Sequence, residues 1–370
     1  MKVSHMHIDA LSTPALIVDT VRIRANITRW QSHAAQYGVA LRPHIKTHKT
    51  IEIARMQQAA GAHGITAAKL SEAECFVDAG WQDVFVAYPI IGIDKCRHAA
   101  RLAKKCRLIV AVDSVVGVTQ LATVAADAQV VIYVRIEVDS GLHRCGVQPD
   151  DVMRLVEIIS GASYLQLDGL FTYRGAWFSN ANGRSPVELG REEGELLVQV
   201  ADFVRQNGVS VDSVSVGSTP TGMAAAMVPG VTEIRPGTYV FGDDMQIFAQ
   251  SCTPSQVALS ILCTVVSRPD VQTATIDAGA KTFSGDVNYE RMGLTGYATA
   301  VDYDATLVRM SEEHGVLKLA PGVDLPIGAR IAMRPIHVCT TVNLSDELYL
   351  HDSLTGDCIP IPIVARGKRW

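Results

Sequence analysis

The stretch "VFVAYPIIGIDKCRHAARLAKKCRLIVAVD", residues 84–113, decides the fold. Two β-branched runs, 84–89 and 107–113, flank a segment, 94–105, whose apolar residues recur at helical spacing. That is a strand, a helix and a second strand. The same alternation extends both ways, with further strand-like runs at 41–46, 64–69, 130–139, 165–173, 213–218 and 233–243. Eight strand–helix units predict a (β/α)8 TIM-like barrel rather than an open doubly wound sheet. The link after the seventh run, "TPTGMAAAMVPG", is weak as a helix. Beyond residue 245 the texture changes to alternating patterns such as "ALSILCTVVSR", "GVLKLAP" and "ARIAMRPIHVCTTVN", which read as a mostly β domain. The opening "STPALIVDTVRIRANI" reads as a strand running into a helix, with the strand added to that second domain. The expected organisation is a barrel over 22–245 and a β domain made of 1–21 plus 246–370.

Composition narrows the function classes. Lys plus Arg number 33 against 38 Asp plus Glu, a net charge of −5 with no basic stripe, so nucleic acid is not an expected partner. No apolar run reaches the roughly 20 residues of a membrane span, and "MKVSHMHIDALSTP" lacks the apolar core of a signal peptide. The expectation is a cytoplasmic protein with no membrane partner. The eight cysteines form no C-x-x-C pair and read as small buried hydrophobes in a reducing compartment.

The active end of such a barrel lies at the C-terminal ends of its strands. There "RPHIKTHKT", 42–50, concentrates charge, with Lys46 closing the first run. A lysine in that place is either a salt-bridged rim residue or an amine that forms a Schiff base once desolvation or neighbouring cations lower its pKa. Arg42, His44, His48 and Lys49 are available to lower it. After the seventh and eighth runs, Gly217, Ser218, Thr219, Gly237 and Thr238 supply backbone N–H groups and hydroxyls without bulk, as a phosphate requires. A phosphate cradle facing a lysine points to pyridoxal 5'-phosphate. His337 and Cys339 stand two apart in a β-like segment, so both are expected on one face. An imidazole and a thiolate suit zinc, although H-x-C alone more often marks a packed core cysteine beside an ordinary histidine.

Taken in order, "RPHIKTHK", "GSTPT", "RPGTYVFGD", "EEHG" and "HVC" resemble the fold-type III pyridoxal-phosphate enzymes of the D-serine dehydratase and D-threonine aldolase family, relatives of alanine racemase. The resemblance covers nearly the whole chain. It implies a homodimer, a C-terminal β domain and a divalent metal, Zn2+ or another such as Mn2+, beside the cofactor. It makes Lys46 the Schiff-base lysine and Ser218, Thr219, Gly237 and Thr238 the phosphate-binding positions. It nominates Arg144, in "DSGLHRCG", to reach the cofactor's phenolic oxygen and Tyr173 to pack on or beside the pyridine. Arg235 resembles the arginine facing the pyridine nitrogen in the racemases, with a rim ion pair to Glu233 or an Asp as the alternative. It makes His337 and Cys339 the metal ligands, since dehydratases of the family carry His-x-Cys where typical aldolases carry His-x-Asp.

The implied reaction is dehydration and deamination of a D-3-hydroxy amino acid, such as D-serine, D-threonine or 3-hydroxy-D-aspartate, to a 2-oxo acid and ammonia. Retro-aldol cleavage to glycine and an aldehyde is the alternative. An amino acid racemase and a non-catalytic pyridoxal-phosphate carrier rank below, because neither needs the metal pair. His44, His48, His143 and His314 are candidates for supporting groups or general acids.

Overall fold

The computed structural model describes residues 6–175 and 183–370; residues 1–5 of the expected segment 1–21 lie outside the described residues. The eight barrel runs form one eight-stranded sheet: β1 (Ala40–Leu41), β2 (Ile65–Ala67), β3 (Asp83–Pro89), β4 (Arg107–Val112), β5 (Ile132–Glu137), β6 (Leu165–Phe171), β7 (Ser213–Val216) and β8 (Glu233–Ile234). Its order is β1-β8-β7-β6-β5-β4-β3-β2, and every neighbouring pair is parallel. The edges meet beyond β1, where a parallel bridge joins His44 to Thr66 and the Thr66 N–H donates to Pro43 O at 2.8 Å. The sheet thereby closes.

Continuous apolar runs suit this position because both faces of a parallel strand are covered. Leu108, Ile109, Val110, Ala111 and Val112 of β4 are all buried. Helices start where the sequence supplies caps: Ser114 Oγ accepts the Gly117 N–H ahead of Val115–Ala128, and Ser185 and Glu188 form a capping box with Pro186 at the first turn of Pro186–Gln206. The weak link after β7 holds only the four-residue helix Gly222–Ala225.

Two expected strands are much shorter than the runs that announced them. Residues 41–46 and 233–243 give two-residue strands because Pro43 and Pro236, lacking an N–H, stop each ladder. Isolated bonds continue, Arg42 N–H to Ile234 O at 3.0 Å and His44 N–H to Pro236 O at 2.9 Å. Lys46 therefore does not close a strand; it lies in the 3-10 turn Ile45–Thr47. Likewise Thr238 opens the 3-10 turn Thr238–Val240.

The second sheet has ten strands, with Ala15–Asp19 among them as expected. Its Leu259–Asp270 strand pairs with Ala15–Asp19, Thr273–Ile276 and Arg330–Pro335, all antiparallel, so six strands from Leu259–Asp270 to Arg330–Pro335 form a closed ring. Ala15–Asp19 pairs in parallel with Glu347–His351 on its other side. One expectation is corrected here. His337 and Cys339 are not on a strand: the strand ends at Pro335, His337 is the extended residue capping the helix Val338–Asn343, and Cys339 lies in its first turn.

The chain divides into two compact units, one of Arg29–Lys46, Ala54–Gly237 and Lys368–Trp370, the other of Met1–Thr28, Thr47–Ile53 and Thr238–Gly367. Each carries one of the two sheets.

Candidate active site

At the C-terminal ends of the barrel strands, Lys46 is half-buried and its N–H lies 3.4 Å from His44 Nδ1. Among the described residues its amine forms no ion pair, unlike a salt-bridged rim lysine. Arg42 is not a bare cation beside it: its guanidinium is buried and paired with Glu233 at 2.6 Å and with Asp83.

Asp139 shapes the loop that carries Arg144. It accepts the Gly141 and His143 N–H groups at 2.9 and 3.1 Å and pairs with His143 Nδ1 at 2.8 Å, which holds His143 at φ 55°. Its carboxyl is depressed because these bonds outweigh burial, which acts the other way. The Arg144 guanidinium then lies 4.9 Å from the centre of the Tyr173 ring, a cation–π pair. Burial pushes nearby Glu137 up to about 7, with Arg144 opposing.

Ser218 and Thr219 occupy the turn after β7. Gly217 takes φ +84°, and a Cβ there would meet Gly222 Cα at 2.9 Å, so the turn demands glycine. Ser218 N–H donates to Thr221 Oγ1 at 3.1 Å. Beneath it lies Glu193, fully buried, accepting from the Gly217 N–H at 3.2 Å, the Thr221 hydroxyl at 2.8 Å and the Arg174 N–H at 3.2 Å. One carboxylate thus ties this turn to the strand end beside Tyr173.

Arg235, just past β8, makes no rim ion pair among the described residues. It donates to Ser215 Oγ at 2.5 Å and Thr172 O at 2.7 Å, and the Ser215 hydroxyl in turn donates to Glu233 at 2.5 Å. Phe171 and Phe85 lie against it, and burial pulls its pKa down to about 10, opposed by Glu233. Arg235 sits on a charged barrel interior in which Arg135 bonds Asp168 at 2.6 Å and Glu233 at 2.5 Å, and Arg107 bonds Asp168 as well. Burial would raise the Glu233 carboxyl, but Arg135 and Arg42 hold it far below the usual carboxylate range.

In the other unit, the helix after Pro335 presents the His337 and Cys339 pair. His337 Nδ1 lies 2.7 Å from Asp286 Oδ2, and Thr340, three residues on, donates to Asp286 Oδ1 at 2.9 Å. Cys339 Sγ meets the Thr47 hydroxyl at 3.3 Å and the Thr238 hydroxyl at 3.7 Å. Burial acts downward on the His337 ring, but Asp286 and Cys339 raise it to about 11. Asp243, fully buried, accepts the Val338 N–H at 3.0 Å. Among the described residues no three His, Cys, Asp or Glu side chains are grouped to hold a metal ion. His337 and Cys339 form a pair, whose nitrogen and sulfur fit zinc with positions left for other ligands.

The remaining histidines divide. His48 is buried with Nδ1 3.3 Å from the Thr50 hydroxyl, whereas His314 is exposed in a turn. In the "EEHG" turn Gly315 is the closely packed residue: a Cβ there would meet Ala278 O at 2.4 Å.

Residues 18–245 match the family described as alanine racemase, N-terminal domain, and residues 258–351 match a putative serine dehydratase domain. The chain belongs to the alanine racemase N-terminal domain family. This family member is 35% identical to D-threo-3-hydroxyaspartate dehydratase of Delftia sp. (strain HT23) over 90% of its own length and 92% of the relative's. It is 32% identical to D-threonine aldolase of Arthrobacter sp over 96% of its length and 93% of the relative's. Among solved structures, a histidine-to-alanine mutant of D-threo-3-hydroxyaspartate dehydratase superposes with a TM-score of 0.91 at 32% identity, covering 99% of this chain and 97% of that one. A cysteine-to-alanine mutant of a D-threo-3-hydroxyaspartate dehydratase, in the metal-free form, gives 0.89 at 31%, covering 99% and 100%. The residues changed in these two mutants stand two apart.

Sequence reading of this family member missed Glu193, Asp243 and Asp286. Glu193 carried a signal, since it falls on the buried stripe Leu189, Glu193, Leu197, Val200, Val204 of its helix, where a carboxylate needs partners. Asp286 lies 51 positions from His337 with no local signal.

Proposed function

We propose that this chain is a pyridoxal-phosphate- and divalent-metal-dependent lyase that converts a D-3-hydroxy amino acid to a 2-oxo acid and ammonia. The observation that carries the proposal is the His337 and Cys339 pair: Asp286 engages Nδ1 of the ring, leaving Nε2 to ligate, and the Thr47 hydroxyl lies against the thiol. It is supported by the named dehydratase relatives and by the two-residue spacing of the histidine and cysteine changed in the solved mutants.

Bound at Lys46, pyridoxal phosphate supplies an electron sink for charge at Cα, and a metal at His337 and Cys339 supplies a Lewis acid for a β-hydroxyl. The barrel-end groups fit the cofactor chemically. Lys46 offers an amine that has no carboxylate partner among the described residues, and the turn after β7 offers hydroxyls and small residues. In the proposal Lys46 would hold the cofactor, and its amine is the group that would take a Cα proton. Ser218, Thr219, Gly237 and Thr238 bind the phosphate, Glu193 fixing the first of those turns from below. Arg144 would serve the phenolic oxygen and Tyr173 would pack by the ring. Arg235, fixed by Ser215 and Thr172 O, would be the cation for the pyridine nitrogen. His337 and Cys339 hold the metal, zinc by donor type.

The similarity to D-threonine aldolase favours a second reading, cleavage of Cα–Cβ to glycine and an aldehyde. Incubating the purified enzyme with D-serine, D-threonine and 3-hydroxy-D-aspartate and separating the products decides: 2-oxo acid plus ammonia supports dehydration, glycine plus aldehyde overturns it. A reducing, cytoplasmic setting belongs to the same proposal. Among the described residues the structure shows no disulfide, and no helix is long and apolar enough to cross a membrane. The homodimer is carried by the resemblance alone.

A further inference from the structure

We infer that Asp286 is the positioning residue that orients His337 for the metal, an inference that rests on the metal reading proposed above. Asp286 comes from the 284–288 segment and holds the H-x-C-T stretch at two points. Its Oδ2 takes His337 Nδ1 at 2.7 Å, and its Oδ1 takes the Thr340 hydroxyl at 2.9 Å. Thr340 also lies within 3.3 Å of His337 O, so ring, backbone and carboxylate are cross-linked around Cys339. Ser284 Oγ, 2.9 Å from Oδ1, fixes the carboxylate from its own loop.

The chemistry follows from the imidazole's two nitrogens. A carboxylate at Nδ1 needs a proton there, which puts the neutral ring's lone pair on Nε2 and makes Nε2 the ligating atom. The ring's rotation is fixed by the same bond. Asp286 does not serve as a third ligand, because among the described residues no trio of His, Cys, Asp or Glu is grouped for a metal. Its side chain is 36% exposed, so as a mere ion pair its removal changes stability little. As an orienting partner, its removal costs 10–100-fold in metal affinity.

The test is a Zn2+ titration of the cofactor-loaded protein against a competing chelating dye, for wild type, Asp286→Ala, Asp286→Asn and His337→Ala. The expected result is a loss of about 10–100-fold for Asp286→Ala. Asp286→Asn should recover most of it, because an amide oxygen still accepts the Nδ1 proton. The visible cofactor band and the melting temperature of the metal-free protein should stay at wild-type values in both Asp286 variants. Wild-type affinity in Asp286→Ala, with binding lost in His337→Ala, overturns the inference and leaves the metal reading standing. Equal losses in Asp286→Ala and Asp286→Asn also overturn it, since charge rather than orientation would then be at work. Absence of Zn2+ binding by the wild type removes the metal reading, and the inference with it.

Discussion

Asp243 Oδ2 accepts the N–H of Val338 at 3.0 Å, and Val338 is the residue between His337 and Cys339. Its Oδ1 accepts the Gln246 N–H at 2.8 Å, so one buried carboxylate caps the starts of two helices. Asp243→Ala leaves both donors buried without a partner, at a cost of about 2–4 kcal/mol in urea unfolding. Zn2+ affinity should fall with it. Asp243→Asn retains one acceptor and should lose less. Equal stability of Asp243→Ala and wild type contradicts the capping role.

Lys46→Ala should abolish turnover and the covalent adduct that borohydride fixes between cofactor and protein. Adduct formed at full yield in the variant, read by mass spectrometry, places the attachment on another amine.

The barrel interior should resist unpairing. Arg135 is 2% exposed and faces Asp168 and Glu233. Arg135→Met leaves those carboxylates short of a cation, and the expected loss is about 3–5 kcal/mol, measured by denaturant titration. A loss below about 1 kcal/mol, the size of a surface pair, contradicts the network's role.

Glu137 sets a pH dependence whose sign follows from burial. Its folded pKa is raised from 4.5 to about 7, opposed by Arg144 and Arg235 and reinforced by Asp113 and Asp139. Its contribution to stability is therefore complete below pH 4.5 and is lost as pH rises through 7. Glu137→Gln should flatten the decline between pH 5 and 8 by roughly 2–3 kcal/mol. A slope identical to wild type rules Glu137 out as its source.

What was legible depended on how local the physics was. Most barrel strands are announced by a short apolar or β-branched run, because parallel strands are buried on both faces and need little beyond their own residues. The lengths of β1 and β8 are set by Pro43 and Pro236, whose missing N–H ends each ladder inside a run that reads as strand beyond it. The placement of His337 and Cys339 failed for another reason. "IHVCTTVN" is rich in β-branched residues, yet Asp243, 95 positions away, caps it into a helix. Glu193 was readable as a carboxylate on an apolar stripe. Asp286 was not, because only the tertiary fold brings it to the ring.

The central claim is that a metal on His337 and Cys339 is needed for elimination while the cofactor is held independently by Lys46. The direct measurement is 2-oxo acid formation from D-3-hydroxy amino acids by chelator-treated enzyme, before and after adding Zn2+, with the cofactor's visible band recorded alongside. The account predicts loss of product with the band intact and recovery on adding Zn2+, and in Cys339→Ala loss of product that Zn2+ does not recover. Full product formation by metal-free enzyme, or by Cys339→Ala, contradicts it.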